Sequence, residues 1–239
     1  MTFSNFDPFA VWYFSSSKSN EYYKYSNRDF GCYPIWVFWN LKKVLDILYR
    51  NKILQVNRLT FLSEKRFVVE TGSEIDVEMI IDIIVQKVHT ERFPAIKFSG
   101  QTTLIENGQE SNYFGIVDFQ CDLDVGNFNI TLLSDCWVPI DREDKLQIDL
   151  AEQCSPRLIK VLKEIKELGF DSIDPDCGEE YTDELLPQFG FKVFLRDSAV
   201  NEIDYNSLSI EEKKSIEKYL WKNRGECPGL NLVDDLTNS

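Results

Sequence analysis

Apolar and polar residues alternate along residues 96–138, which is the pattern of β-strands that bury one face. Two turn signals divide this segment. Asn107-Gly108 is typical of a two-residue hairpin loop, and Gly126-Asn127 is a second tight-turn candidate. We therefore expect a three-stranded antiparallel meander whose polar face is rich in aspartates.

If both loops contain two residues, they fix which residues face each other across the meander. On one face apolar residues meet: Phe98 with Val117, Ile96 with Phe119, Cys121 with Leu132 and Leu123 with Ile130. On the other face the register sets Asp122 against Thr131, Asp124 against Asn129 and Asp118 against Asp135. Lys97 lies beside Asp118 in this arrangement, so it would offset the repulsion between the two opposed carboxylates.

Helices are predicted on both sides of the meander in sequence. Those near residues 74–89 and 156–168 each have one broad apolar face, so we expect them to cover the sheet. Peripheral helices are expected near 35–50 and 209–222. Further strands are predicted at 10–14, 58–62, 65–70 and 189–196, with an irregular tail at 226–239. The whole chain, 1–239, is expected to form a single α+β domain.

Capping signals define the ends of the two covering helices. Ser73 to Asp76 resembles a capping box before the first helix, and His89 at its C-terminal end suits a capping role better than a catalytic one. Ser155-Pro156 is a suitable N-cap and N1 pair for the second helix. We therefore expect that helix to begin at Pro156.

The composition changes the set of plausible partners. The formal net charge is −14, and such a field repels phosphate backbones and anionic lipid surfaces. Nucleic acid and membrane are therefore not expected as partners, and a basic protein is favoured. The N-terminus lacks the basic and apolar regions of a signal peptide, so a cytoplasmic location is expected.

Cysteine and histidine usage limits the chemistry. Six cysteines are scattered without a C-x-x-C pair, which predicts reduced thiols rather than a disulfide framework. His89 is the sole histidine, so a His-rich metal site within one chain is excluded. No cofactor or metal site is expected. The acidic run after Asp174 departs from a calcium loop because Gly178 stands fifth rather than sixth.

The aspartates of the meander admit three interpretations. They can form a polar face compensated by Lys97, or a negative stripe that docks a basic partner. Alternatively, Asp118 and Asp135 with Lys97 form a catalytic carboxylate pair, with or without a divalent cation. For docking, the candidate residues are carboxylates of the meander and of the following acidic run: Asp122, Asp124, Asp174, Asp176, Glu179, Glu180 and Asp183. Candidate aromatic anchors are Trp12, Tyr22, Tyr23 and Tyr25.

Two resemblances bear on function. The span from SDCWVPID to CSPRLIKVLKEIKELGFDSIDPD, residues 134–176, resembles a strand-then-helix segment of uncharacterised bacterial proteins. In size, acidity and lack of a catalytic signature, the chain is similar in type to immunity proteins of bacterial polymorphic toxin systems. This resemblance implies a non-enzymatic protein that blocks a basic toxin domain by occlusion. The alternatives are an enzyme that uses Asp118 and Asp135, and a structural subunit of a larger assembly.

Overall fold

The computed structural model describes residues 10–15, 33, 35–63, 66–106, 108–137, 147–170 and 172–176, with the backbone alone at 35, 148 and 172–176. These residues form seven strands and three helices. In chain order they are β1 (Ala10–Ser15), α1 (Ile35–Arg50), β2 (Gln55–Leu62), β3 (Phe67–Glu70), α2 (Val77–Val88), β4 (Ala95–Glu106), β5 (Gln109–Asp122), β6 (Phe128–Leu132), α3 (Ile148–Glu167) and β7 (Ser172–Asp176).

The strands form one antiparallel sheet in the order β3-β2-β4-β5-β6-β1-β7. The predicted meander is therefore present as β4-β5-β6, at the centre of the sheet. Strand β1 comes from the N-terminal part of the chain and pairs with β6, so the first and last described strands lie side by side. The α+β class and the antiparallel sheet are confirmed.

One apolar core joins the helices to the sheet. The buried sides of α1, α2 and α3 and alternate positions of the strands belong to a single hydrophobic cluster. Phe98, Phe119 and Phe128 form a stack across β4, β5 and β6 within it, with ring centroids 5.4 and 5.7 Å apart. Helix α1 contacts both other helices. The period-2 pattern thus identified the buried face correctly, because the sheet is covered on that face.

The hairpin between β4 and β5 follows the predicted register near its loop and departs from it further away. Glu106 pairs with Gln109, and Gly108 has a positive φ of 76°, as a two-residue loop requires. Beyond a bulge, Phe98 faces Phe119 rather than Val117. The shift is of two residues, so the paired residues beyond the bulge keep their predicted faces.

Gly100 occupies the β4 side of this bulge for a steric reason. A Cβ there would lie 2.0 Å from the carbonyl oxygen of Gln55 on β2, so only glycine permits this close approach. On β5 the bulge includes Gly115, at φ 68°. The alternating sequence pattern around Gly100 and Gly115 did not predict this bulge.

The hairpin between β5 and β6 has a longer loop than predicted. Cys121 pairs with Phe128, and the main-chain N–H of Asp122 donates to the oxygen of Asn127 at 2.8 Å, which leaves a four-residue loop. The Asp122 side chain accepts hydrogen bonds from the main-chain N–H groups of Asp124 and Val125 at 3.0 and 3.1 Å. The Asp122 side chain thus stabilises the four-residue loop, which replaces the predicted tight turn at Gly126-Asn127.

The second half of the predicted register is therefore wrong. Residues shift by four places, which again preserves the faces but changes the partners. Asp118 faces Thr131 rather than Asp135, and Gln120 takes the predicted place of Asp124 opposite Asn129. The predicted pairings of Asp122 with Thr131, Cys121 with Leu132 and Leu123 with Ile130 are also absent from the register of β5 and β6.

Helix ends differ from the capping signals in two places. Asp76, rather than Ser73, caps α2 by accepting the Met79 main-chain N–H at 2.8 Å, while His89 is its C-cap as predicted. Helix α3 begins at Ile148, so Pro156 lies inside it. The Ser155 hydroxyl, which was the expected cap, is buried and donates to the carbonyl oxygen of Trp137.

The acidic run after α3 begins with a strand that was not predicted. Residues 172–176 form β7 and pair with β1 at the end of the described sheet. Pro175 suits that edge because proline cannot donate to a second neighbouring strand. Several predictions lie outside the described residues: the strand at 189–196, the helix near 209–222, the tail at 226–239, and the positions of Tyr22, Tyr23, Tyr25, Cys32, Cys177, Glu179, Glu180, Asp183 and Cys227.

Candidate functional site on the outer face of the sheet

The strand positions that alternate with those of the core form what we call the outer face. Two rows of paired positions cross all seven strands on this face. The Lys97 row consists of Val68, Thr60, Lys97, Gln120, Asn129, Tyr13 and position 174. The Asp118 row consists of Glu70, Arg58, Ser99, Asp118, Thr131, Val11 and position 176.

The centre of the outer face contains one tight ionic contact. Lys97 Nζ lies 2.6 Å from Asp118 Oδ2, and the Ser99 hydroxyl donates to Asp118 Oδ1 at 2.6 Å. Asp118 is only 6% exposed, whereas the lysine side chain is 41% exposed. The predicted proximity of Lys97 and Asp118 is confirmed. Both carboxylate oxygens already have partners, so Asp118 is held as a structural anion at the sheet centre.

The predicted partner of this carboxylate lies elsewhere. Asp135 follows β6 and is fully buried, and its main-chain oxygen accepts a hydrogen bond from the Gln147 side chain at 2.6 Å. It is four residues beyond Thr131, which faces Asp118. The register that suggested a catalytic pair of Asp118 and Asp135 is therefore wrong. Among the described residues, no three or more His, Cys, Asp or Glu side chains are grouped to hold a metal ion.

The two aspartates of the β5-β6 loop have local roles. Asp122 accepts the two loop N–H groups described above. Asp124 lies 3.0 Å from a guanidinium nitrogen of Arg92, and its side chain is 36% exposed. Both were candidates for contacting a partner. A partner cation would therefore compete with Arg92 for Asp124 and with the loop backbone for Asp122.

Of the predicted aromatic anchors, only Trp12 lies among the described residues, and it is not exposed. Trp12 is fully buried in the core, whereas Tyr13, the next residue of β1, is 45% exposed on the outer face. Strand alternation could have separated these neighbours, since the aromatic side chain with a hydroxyl suits the wetter side. Phe114 of β5 is 59% exposed and pairs with Gln101 on the same face.

The described thiols contribute no nucleophile to this face. Cys121, Cys136 and Cys154 are free and buried. Burial raises the pKa of the Cys121 and Cys136 thiols well above the ordinary value, so these groups stay protonated at neutral pH. Reduced thiols were predicted, and for Cys121, Cys136 and Cys154 the prediction is confirmed because none of them forms a disulfide.

Negative charge is distributed unevenly along the chain. Residues 171–239 contain 16 acidic and 7 basic residues, a net charge of −9 out of −14. This segment includes β7, which pairs with β1, the strand of Tyr13, at the end of the described sheet. Across the centre of the face the charges alternate in sign, as Lys97 pairs with Asp118 and Arg58 approaches Glu70 at 3.9 Å. The excess of carboxylates therefore belongs to the part of the chain that starts at β7.

No helix among the described residues is long and apolar enough to cross a membrane. Comparison of the chain with protein-family models, curated proteins and solved structures finds no match.

Proposed function

We propose that this chain is a non-enzymatic binding protein that captures a basic protein partner through the β7 side of its outer face. One observation carries the proposal: the segment from residue 171 onward holds −9 of the −14 net charge and is joined to the sheet at β7. The carboxylates in the centre of the sheet are paired with cations. The carboxylates of residues 171–239 would therefore supply most of the net negative field that a partner meets.

The mechanism would be steering followed by occlusion. A cationic partner is attracted from a distance by the acidic segment, and its association rate rises because the field guides the encounter. Contacts on the outer face then hold the partner and cover its own functional surface. The candidate contact residues of the acidic segment are Asp174, Asp176, Glu179, Glu180 and Asp183.

In its most specific form, the proposal is that the partner is a toxin domain and that the chain is a cytoplasmic immunity protein. The support is the type-level similarity in size and acidity, together with the acidic segment that could cover a basic active-site cleft. Occlusion requires no catalytic group on the chain, and the protonated buried thiols and the cation-paired Asp118 suit that role.

The test first captures partners by crosslinking and then measures the binding of the purified proteins. The wild-type chain would be used to capture partners from the source organism, and each captured protein would be purified and its binding to the chain measured directly. We expect a one-to-one complex with a basic protein, and an association rate that falls as salt is raised from 50 to about 300 mM because the field is screened. Binding at a salt-independent rate, or turnover of the captured molecule, would contradict the proposal.

A charge variant separates steering from general adhesion. Asp174→Asn with Asp176→Asn removes two carboxylates next to the sheet, and we expect a slower association with a weaker dependence on salt. Glu78→Gln serves as the control, since Glu78 lies on α2 and pairs with Lys42. An equal loss in both variants would show that only the total charge matters.

A further inference from the structure

The outer face offers a contact that would recognise one kind of side chain. Resting on the proposed function, we infer that the outer face around Tyr13 binds an arginine side chain of the basic partner. The guanidinium group would stack on the Tyr13 ring, and the aspartates at positions 174 and 176 would supply negative charge for it. Tyr13 pairs with position 174, and its neighbour Val11 pairs with position 176. Position 174 therefore lies opposite Tyr13 in the Lys97 row, and position 176 lies opposite Val11 in the adjacent Asp118 row.

Tyr13 is available for such a contact. Its side chain is 45% exposed, and within the described part of the chain it makes no hydrogen bond, ion pair or ring contact. Its other lateral neighbour is Asn129 of β6, an uncharged residue that does not compete for a cation. The aromatic residues packed in the core, such as Trp12 and Phe14, have no comparable exposure.

Arginine is the side chain that this arrangement fits best. Its guanidinium group is planar and weakly hydrated, so it can stack on an aromatic ring while its N–H groups bind carboxylates at the edge. A lysine ammonium can make the same ionic contacts but does not stack as a plane. The pairing of a tyrosine with adjacent aspartates therefore favours arginine over lysine, in addition to the general preference for positive charge.

Phe114 provides a matched comparison on the same face. It is more exposed than Tyr13, at 59%, but its paired residue is Gln101 and no carboxylate occupies that pairing. An exposed ring alone would attract any apolar surface. If the aspartates at the β7 edge matter, Tyr13 and Phe114 must behave differently towards an arginine-containing ligand.

The experiment uses the full chain and a defined probe. A fluorescein-labelled dodecapeptide in which arginine alternates with serine is titrated at low salt, and a peptide with lysine in place of arginine is titrated in parallel. We expect the arginine peptide to bind more tightly. Tyr13→Ala should weaken its binding about three-fold, as expected for loss of an exposed cation–π contact, whereas Tyr13→Phe should keep it. Phe114→Ala should bind like the wild type.

Each outcome decides a separate point. If Tyr13→Ala binds the arginine peptide as tightly as the wild type does, the proposed contact at Tyr13 is wrong, while the proposed function stands. The same holds if Phe114→Ala loses as much affinity for the peptide as Tyr13→Ala. If the wild type fails to bind the arginine peptide at low salt, arginine recognition is wrong, and the salt dependence of the purified partner alone decides the proposed function. Circular dichroism and thermal unfolding verify that each variant is folded.

Discussion

Gly126 shows how one residue can be fixed by two independent constraints. It has a φ of 70°, and a Cβ at this position would lie 2.3 Å from the ring of Trp36 in α1. The first constraint is conformational, because L side chains are strained in this region. The second is steric, because the loop between β5 and β6 packs against the indole. Glycine is the residue that satisfies both.

Alanine substitutions at three glycines should separate these constraints. Gly126→Ala should lower the free energy of unfolding by roughly 2 to 4 kcal/mol, since it meets strain and overlap together. Gly115→Ala has a φ of 68° but no neighbouring atom within 4 Å, so about 1 kcal/mol is expected. Gly72→Ala, which has neither constraint, is the control. Urea unfolding gives the three values, and an equal cost at Gly126 and Gly115 would show that Trp36 yields without cost.

The ion pair at the sheet centre should be worth more than an exposed one. Lys97→Met leaves the nearly buried Asp118 carboxylate without its cation, and we expect a loss of about 1 to 3 kcal/mol in unfolding free energy. The double variant with Asp118→Asn should recover part of that loss, and a double-mutant cycle measures the coupling. The exposed pair of Arg58 and Glu70, at 3.9 Å, is the matched control and should show less than about 0.5 kcal/mol.

At the residue scale, sequence predicted faces better than partners. Lys97 was correctly placed beside Asp118, because both belong to the polar face and lie near each other on adjacent strands. Asp135 was wrongly placed opposite Asp118, because the alternation of apolar residues is equally satisfied by any shift of an even number of residues. Tyr13 was missed as the exposed residue since no period is obvious in a six-residue strand with four aromatic or aliphatic neighbours.

At the scale of elements, local signals had two possible uses. Asp122 could have stayed a strand residue, but its side chain closes a longer loop by accepting two main-chain N–H groups. Ser155 could have capped a helix, but it binds the Trp137 carbonyl group and α3 continues through it. The local sequence around Ser155 shows a possible capping residue, but it does not show that the Trp137 carbonyl group lies within reach of the hydroxyl. The existence of these elements was therefore predictable, while their ends depended on tertiary contacts.

The junction of α1 and α3 should make stability depend on pH. Glu164 of α3 accepts from Arg50 at 2.9 Å and from Asn51 at 3.1 Å. Burial raises the pKa of Glu164, but the hydrogen bonds from Arg50 and Asn51 outweigh it and lower the pKa below the ordinary value of 4.5. A carboxylate with a lowered pKa in the folded state stabilises the fold above pH 4.5, and this contribution is lost as the pH falls below that value.

Glu164→Gln tests this linkage. We expect it to lower the free energy of unfolding by about 1 kcal/mol at neutral pH and to weaken the decline of stability on acidification below pH 4.5. Glu167→Gln is the control, because Glu167 is an exposed carboxylate at the end of the same helix. Denaturant unfolding at a series of pH values provides the comparison. Parallel pH curves for the wild type and Glu164→Gln would refute the linkage.

At the scale of the whole molecule, most of the net charge lies outside the stretch of sequence that forms the described core. The described core is formed by residues 10–170, whereas most of the net charge belongs to residues 171–239. Composition could predict the total charge but not its position relative to the sheet. The structure adds the point at which the acidic segment joins the sheet: β7 lies beside β1, and Ser15 pairs with Ser172, which is 157 residues away in the sequence.

The buried thiols give a test of the whole fold. In a variant with Cys32, Cys177 and Cys227 replaced by serine, only the three buried cysteines remain. We expect them to react with a thiol reagent at least about ten-fold more slowly in the native chain than in urea, since burial excludes the reagent and raises the pKa of Cys121 and Cys136. Three thiols per chain should react in urea. Equal rates in both conditions would show that the core opens readily.

The bulge between β4 and β5 has a consequence for how the length of this chain can change. It shifts the pairing by two residues and leaves the paired residues on either side of it on their original sides of the sheet. An insertion or deletion of two residues near Gly115 would therefore change which residues of β4 and β5 pair, but the same side chains would still face the core and the outer face. An insertion of one residue would turn the following strand over and expose Phe119 and Cys121. The strands can thus tolerate changes of length in pairs and not singly.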